Sequence, residues 1–221
     1  MLLRELGVQP KASWVIAEGG DACRMMRSIP LQKAMDDSFL AYGQNGEALR
    51  PAQGYPLRLV NPGWEGNTNV KWLRNLILAD QPYMARDETS KYSDLMPDGR
   101  ARIFTYTMEA KSVVTFPSGG QTLPGRGLFE VSGLAWSGRG SVARVEVTVD
   151  GGASWHVARL QEPRLAQALT RFRWPWTFEG REAVIGSRVV DETGYVQPSR
   201  AKLIAVRGTN SIYHYNGIKL W

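Results

Sequence analysis

The stretch Gln53-Gly54-Tyr55-Pro56-Leu57-Arg58-Leu59-Val60-Asn61-Pro62-Gly63-Trp64 runs directly into Glu65-Gly66-Asn67-Thr68-Asn69-Val70-Lys71-Trp72-Leu73. A β-prone run bounded by Gly-Tyr-Pro and Asn-Pro-Gly, then a Gly/Asn loop closing on a lysine, offers backbone N–H groups together with the cations Arg58 and Lys71. Those are the parts of a phosphate cradle. Glycine and asparagine also populate any tight turn, and an isolated Arg or Lys is commonly a solvated side chain, so an ordinary loop competes with the anion site here. Metal chemistry has few candidate ligands. Cys23 is the sole cysteine, which excludes an intrachain disulfide and a zinc site of paired cysteines, and with only His156 and His214 a histidine-rich metal site is not expected.

The elements that must position these groups change character along the chain. From Leu2 to about Tyr106 short apolar runs alternate with Gly/Pro punctuation, and Leu31–Tyr42, after Ser28-Ile29-Pro30, is a helical candidate; the pattern is α+β. From about Ser112 the segments 112–116, 128–136, 142–149, 156–160, 171–178, 183–190 and 202–207 are β-prone and divided by Gly, Pro, Asp and Ser, the spacing of an immunoglobulin-like sandwich. Ala143, Val145, Val147 and Val149 alternate with Arg144, Glu146 and Thr148 before Asp150-Gly151-Gly152, which predicts a half-buried hairpin whose return strand carries Trp155 as a core residue. The Gly/Pro-rich segment 117–127 is read as a surface connection. The composition shift near Met108–Ser112 divides the chain into domains 1–108 and 109–221.

A net charge of +6 and a pI near 9.6 favour anionic partners without choosing among phosphate, oxyanion, nucleic acid or membrane surface. The basic residues are scattered, so nucleic-acid binding is not expected. Its one candidate cluster is Trp174 and Trp176 beside Arg171 and Arg173, where core or interface roles are the simpler reading. No window of about 18 apolar residues spans a membrane, and Met1–Gly7 does not have the pattern of an export signal.

Gly54-Tyr55-Pro56-Leu57-Arg58 with Asn69-Val70-Lys71-Trp72-Leu73 resembles the G-[FY]-P-x-R … V-K-W-L signature of the sulfite oxidase family of molybdopterin enzymes, with the Arg-to-Lys spacing in agreement. Glu18-Gly19-Gly20-Asp21, Ser28-Ile29-Pro30-Leu31 and Leu40-Ala41-Tyr42-Gly43-Gln44-Asn45-Gly46 are similar to its E-G-x-D, S-I-P-L and L-A-Y-x-x-N-G elements. Leu134-Ala135-Trp136-Ser137-Gly138 and Asp150-Gly151-Gly152-Ala153-Ser154-Trp155 resemble elements of its immunoglobulin-like dimerisation domain. Thr89-Ser90-Lys91-Tyr92, the run Arg188–Pro198 and Tyr213-His214-Tyr215-Asn216 look most like the molybdenum subunits of bacterial sulfane/sulfite dehydrogenases. The likeness runs from about Val15 to Trp221.

The resemblance implies the C-terminal part of a molybdopterin-binding fold followed by the all-β sandwich. It implies cofactor contacts at Asp21, Gln53, Arg58, Asn69, Val70 and Lys71, with Gln53 standing where the family usually has a histidine. It also implies catalytic roles for Tyr92, the family's active-site tyrosine, and for Arg207 of Val206-Arg207-Gly208, a contact to the substrate anion. Arg207 has a structural alternative, pairing with a carboxylate at the domain interface. The implied reaction is oxidation of sulfite or protein-bound sulfane sulfur, with electrons passed to a c-type cytochrome subunit that carries the haem. A homodimer through the second domain and a periplasmic location follow from the same likeness. Cys23, followed by Arg24-Met25-Met26, does not match the family's molybdenum-ligating Cys-x-Gly-Asn-like element and is expected to be a buried small residue or a loop thiol. The chain is therefore expected to start downstream of that element and to be incomplete for activity alone. The rival from another class is a non-catalytic dimerisation scaffold. Nitrate reductase is a family neighbour whose haem and flavin extensions do not occur here.

Overall fold

The computed structural model describes residues 2–208 and 216–221, so Tyr213, His214 and Tyr215 of the dehydrogenase-like run lie outside the described residues. The chain forms two compact units: Met1–Asp94 with Ala101–Tyr106, and Leu95–Arg100 with Thr107–Trp221. The architecture is mostly β with few helices.

In the first unit Val15, Ile16 and Ala17 follow one another without polar alternation, which demands cover on both faces of their strand. Trp14–Gly19 is accordingly the central strand of an antiparallel sheet, between Met26–Pro30 and Leu73–Ala79. Val15, Ala17, Ile29, Leu59 and Val70 form the core. The helix after Pro30 is shorter than its apolar pattern predicts. It spans Leu31–Asp36, and Phe39–Ala41 instead pairs with Arg58–Val60. The cause lies in Asp36-Asp37-Ser38, whose short polar side chains compete with helical backbone. Ser38 Oγ donates to both Lys33 O and Asn61 Oδ1 (3.1 and 2.6 Å), which ends the helix and turns the chain toward Asn61.

The second unit is a sandwich of two antiparallel sheets. One has the order Lys111–Phe116, Gly127–Trp136, Thr170–Phe178, Arg159–Leu160; the other has His156–Val157, Val142–Thr148, Gly186–Asp191. Val114, Val131, Ala135, Phe172 and Trp176 from the first sheet meet Val142, Val145, Val147 and Val189 from the second, the face-to-face core expected of an immunoglobulin-like domain. Phe172 and Trp176 are buried and Trp174 packs against them, so these aromatics face the core while Arg171 and Arg173 point outward.

Three sequence readings are corrected in this unit. Residues 202–207 are helical, not a strand: Ser199 caps Arg200–Arg207 by accepting from the Lys202 N–H, and Leu203 and Arg207, one turn apart, are its buried residues. The segment 156–160 is two short strands that belong to different sheets, with buried Ala158 at the crossing. Trp155 is only half buried. Its indole donates to Gly152 O and lies under the Arg188 guanidinium at 4.3 Å, while Val157 is 63% exposed. The hairpin itself forms, with Glu146 opposite Val157, but a bulge between Val142 and Arg144 turns Val142 rather than Ala143 inward.

Asp191, 1% exposed at the end of its strand, accepts from Ser137 Oγ (2.7 Å), Thr193 Oγ1 (2.6 Å), Thr193 N (3.0 Å) and Tyr195 N (3.1 Å). Burial pushes this carboxyl up, but the hydrogen bonds from Thr193, Ser137 and Tyr195 outweigh it and hold its pKa below the ordinary value. The resulting stability is present above the unfolded carboxylate value near 4 and is lost as pH falls through the folded value. Asp191→Ala is expected to cost about 2–3 kcal/mol in urea unfolding at pH 7, with the gap to wild type narrowing below about pH 4. An undiminished gap in acid would contradict the linkage.

Candidate functional site

Residues 51–73 fold into a compact loop whose own side chains staple it together. A single 3-10 turn, Pro51–Gln53, is closed by Gly54 at φ 109°, a left-handed conformation that favours glycine. A Cβ at Gly54 would also lie 3.0 Å from both Cα and Cβ of Lys71 and 3.2 Å from Cβ of Arg58, so the glycine lets the two cation-bearing segments close on each other. Arg58 Nη1 donates to Gln53 O (3.0 Å) and Nη2 to Asn69 O (3.4 Å). Lys71 Nζ donates to Ala52 O (2.8 Å), and the Trp72 indole to Pro51 O (2.9 Å). Asn69 Oδ1 accepts from Asn61 N at 2.7 Å, and the buried Val70 pairs through its carbonyl with Leu59 N at 2.9 Å. Gln53, Arg58, Asn69, Val70 and Lys71 are therefore brought together.

Asp21 joins the same edge. Gly20 N donates to Trp72 O (2.7 Å), and a Cβ on the preceding Gly19 would meet Lys71 O at 3.0 Å, so the end of the central strand sits against residues 71 and 72. Asp21 then opens a tight turn, accepting from Met25 N at 3.2 Å through one carboxylate oxygen. Cys23 lies exposed in that turn.

The donor set fits a polar, phosphate-bearing group. Arg58 and Lys71 donate hydrogen bonds to neutral backbone carbonyls, and among the described residues neither has a carboxylate within salt-bridge reach, so both charges are left for an anion. Arg58 Nε is buried with no hydrogen-bond partner in the described structure. Burial holds this guanidinium's pKa below its ordinary value, though an arginine remains charged. Among the described residues no group of three or more His, Cys, Asp or Glu is placed to hold a metal ion.

Tyr92 follows the helix Arg86–Ser90 in the first unit, with its ring over a buried guanidinium, that of Arg27, at 4.9 Å. Sequence reasoning missed the cluster beneath it. Glu88 Oε1 accepts from Ser28 N and Oε2 from Ser28 Oγ (2.9 Å) and Ala85 N (3.1 Å), and Tyr106 donates its hydroxyl to Ser28 O at 2.6 Å. The available signal was a lone arginine inside the otherwise uncharged run Met25–Leu31, with no sequence neighbour of opposite charge. Arg207 belongs to the second unit, where it is buried and ion-paired with the buried Glu109 of that same unit. In the same unit Arg139 stacks on Tyr195 at 4.3 Å, and burial, then Glu109, pushes the Tyr195 phenol up.

Residues 1–86 match the family described as the oxidoreductase molybdopterin binding domain, and residues 102–220 the Mo-co oxidoreductase dimerisation domain. The crystal structure of the sulfane dehydrogenase SoxCD from Paracoccus pantotrophus superposes with a TM-score of 0.97 at 53% identity, covering 100% of this chain and 57% of that one. Mitochondrial sulfite oxidase from Drosophila melanogaster is 33% identical over 99% of the chain, which spans 44% of that relative's length. Nitrate reductase [NAD(P)H] from Hordeum vulgare is 34% identical over 82% of the chain and 24% of its own length. The chain thus spans about half the length of its sulfite oxidase and sulfane dehydrogenase relatives. Both halves match consecutive domains of one enzyme family at high structural similarity, and this chain belongs to the sulfite oxidase family of molybdopterin oxidoreductases.

Proposed function

We propose that this chain contributes the pterin and phosphate contacts of a molybdopterin enzyme that oxidises sulfite or protein-bound sulfane sulfur and passes electrons to a c-type cytochrome subunit in the periplasm. The observation that carries it is the edge formed by Asp21, Gln53, Arg58, Asn69, Val70 and Lys71, with two cations lacking carboxylate partners. The likeness to a sulfane dehydrogenase at 53% identity supports the substrate class. Molybdopterin, when bound, supplies the two-electron redox chemistry at sulfur.

The protein's own residues do the rest. Arg58 and Lys71 neutralise the phosphate, and Asp21 is suited to accept from a guanidine-like N–H pair of the pterin through its carboxylate. The Tyr92 phenol orients the substrate anion and donates a proton or hydrogen bond to it. Arg207 is assigned the neutralisation of the substrate anion, its guanidinium anchored by the ion pair with Glu109. The domain of residues 109–221 pairs two copies of the chain.

Sulfite- or cysteine-persulfide-dependent reduction of a c-type cytochrome tests this reading. Tyr92→Phe is expected to lower kcat by about 10²- to 10⁴-fold, the usual contribution of a positioned proton donor. A variant of the complete enzyme within about twofold of wild type would remove Tyr92 from the chemistry, and failure of the complete enzyme with both sulfur substrates would remove the substrate class.

A further inference from the structure

Arg27 sits in the strand Met26–Pro30 with its side chain 2% exposed. A guanidinium has five N–H donors to satisfy, yet Nε and Nη1 have no hydrogen-bond partner among the described residues. The carboxylate nearest to hand, on Glu88, is 3.9 Å away and already accepts from Ser28 N, Ser28 Oγ and Ala85 N. What lies against the guanidinium is aromatic: the Tyr92 ring centroid is 4.9 Å from Arg27 Cζ. A buried cation this loosely satisfied is a poor stabilising device, since an apolar side chain of similar volume would fill the site at less cost in desolvation. Its position is accounted for by the ring it touches.

We propose that Arg27 is a positioning residue for Tyr92, fixing the ring through cation–π contact and, by its charge, making the phenol a stronger hydrogen-bond and proton donor toward a substrate anion. The inference rests on the role given to Tyr92 under the proposed function. A cation against the face attracts the ring electrons, and the attraction grows when water is excluded. It also favours the ionised phenol over the neutral one. The groups that face Arg27 are Glu88 and Tyr92 from segment 86–92, Tyr106, and Glu65 from the loop after Arg58–Val60. Tyr106 shows the sign of each influence in this neighbourhood: burial and then Glu88 push its phenol up, while Arg27 pulls it down. The Tyr92 ring lies against the same guanidinium, and the proposal extends that sign to its phenol.

The test is a pH titration of the chain labelled with 13Cζ-tyrosine, followed by NMR, with the Tyr92 resonance assigned by its loss in Tyr92→Phe. Arg27→Met is expected to raise the Tyr92 midpoint by about one pH unit or more, a tenfold change in ionisation, and Arg27→Lys to restore at least half of the shift. If far-UV circular dichroism shows Arg27→Met unfolded, Glu88→Gln decides instead: it leaves Arg27 less compensated and is expected to lower the midpoint. A folded Arg27→Met within about 0.3 unit of wild type, an equal shift in Arg27→Lys, or an unchanged or raised midpoint in Glu88→Gln overturns the proposal. So does a wild-type Tyr92 that fails to ionise below about pH 11, above the ordinary tyrosine value. Because neither cofactor nor substrate takes part, a negative result here leaves the proposed reaction standing. Full turnover by Tyr92→Phe would remove the reaction's use of Tyr92 while leaving the contact intact.

Discussion

Glu88→Ala is expected to destabilise the first unit by about 3–5 kcal/mol, the cost of stripping a buried charge of its counter-ion. Glu88 is 1% exposed, and its carboxylate gathers Ser28 N, Ser28 Oγ, Ala85 N and the Arg27 charge, so the alanine orphans three donors and a cation together. The Ala85 contact also closes the N-terminus of the helix Arg86–Ser90, the element that delivers Tyr92. Burial already holds the Arg27 pKa below its ordinary value, and Glu88 is the largest influence raising it back. Glu88→Gln keeps the shape and one acceptor and is expected to lose roughly half as much. Urea unfolding of wild type and both variants measures this directly. A loss below about 1 kcal/mol for the alanine would mean that the cluster is solvated rather than buried.

The second large effect is on cofactor retention. Arg58→Ala is expected to weaken pterin retention by on the order of 10²-fold and Lys71→Ala by at least about tenfold, in keeping with charge-assisted hydrogen bonds of about 1.5–3 kcal/mol each. The two variants should separate in stability. Arg58 is half buried and spans from Gln53 O to Asn69 O, so its loss is expected to cost about 1–3 kcal/mol. Lys71 is exposed and ties down a single surface carbonyl, so its removal is expected to stay within about 1 kcal/mol. Pterin fluorescence beside thermal unfolding distinguishes a lost ligand contact from a lost fold. Equal retention by wild type and both variants would remove these cations from the site.

Much of this was legible in the chain itself because it is written in local pattern. Alternation around Val145 and Val147 with an Asp-Gly turn specifies a hairpin; Gly54 marks the close approach of its turn to Arg58 and Lys71, and Gly20 that of the central strand's end to Trp72. Where local pattern misleads, a tertiary event is responsible. Lys202-Leu203-Ile204-Ala205-Val206 looks β-prone until the Ser199 cap is seen to start a helix one turn earlier. Trp155 has the hydrophobicity of a core residue, but its indole is held by Gly152 O of the turn and lies under Arg188 at the rim. The Arg27–Glu88–Tyr92 cluster joins residues about sixty positions apart, and no periodicity encodes such a pairing. Arg207 illustrates the other side: its motif suggested an anion contact, and only the fold revealed that Glu109 holds it.

The measurement that bears most directly on the account is the pterin-to-protein ratio of the chain purified from a host that makes molybdopterin, read by fluorescence after oxidation. The account expects close to one pterin per wild-type chain and a retention at least about tenfold lower in Arg58→Ala. A folded wild-type chain that carries no pterin would contradict the assignment of Asp21, Arg58 and Lys71 to the cofactor.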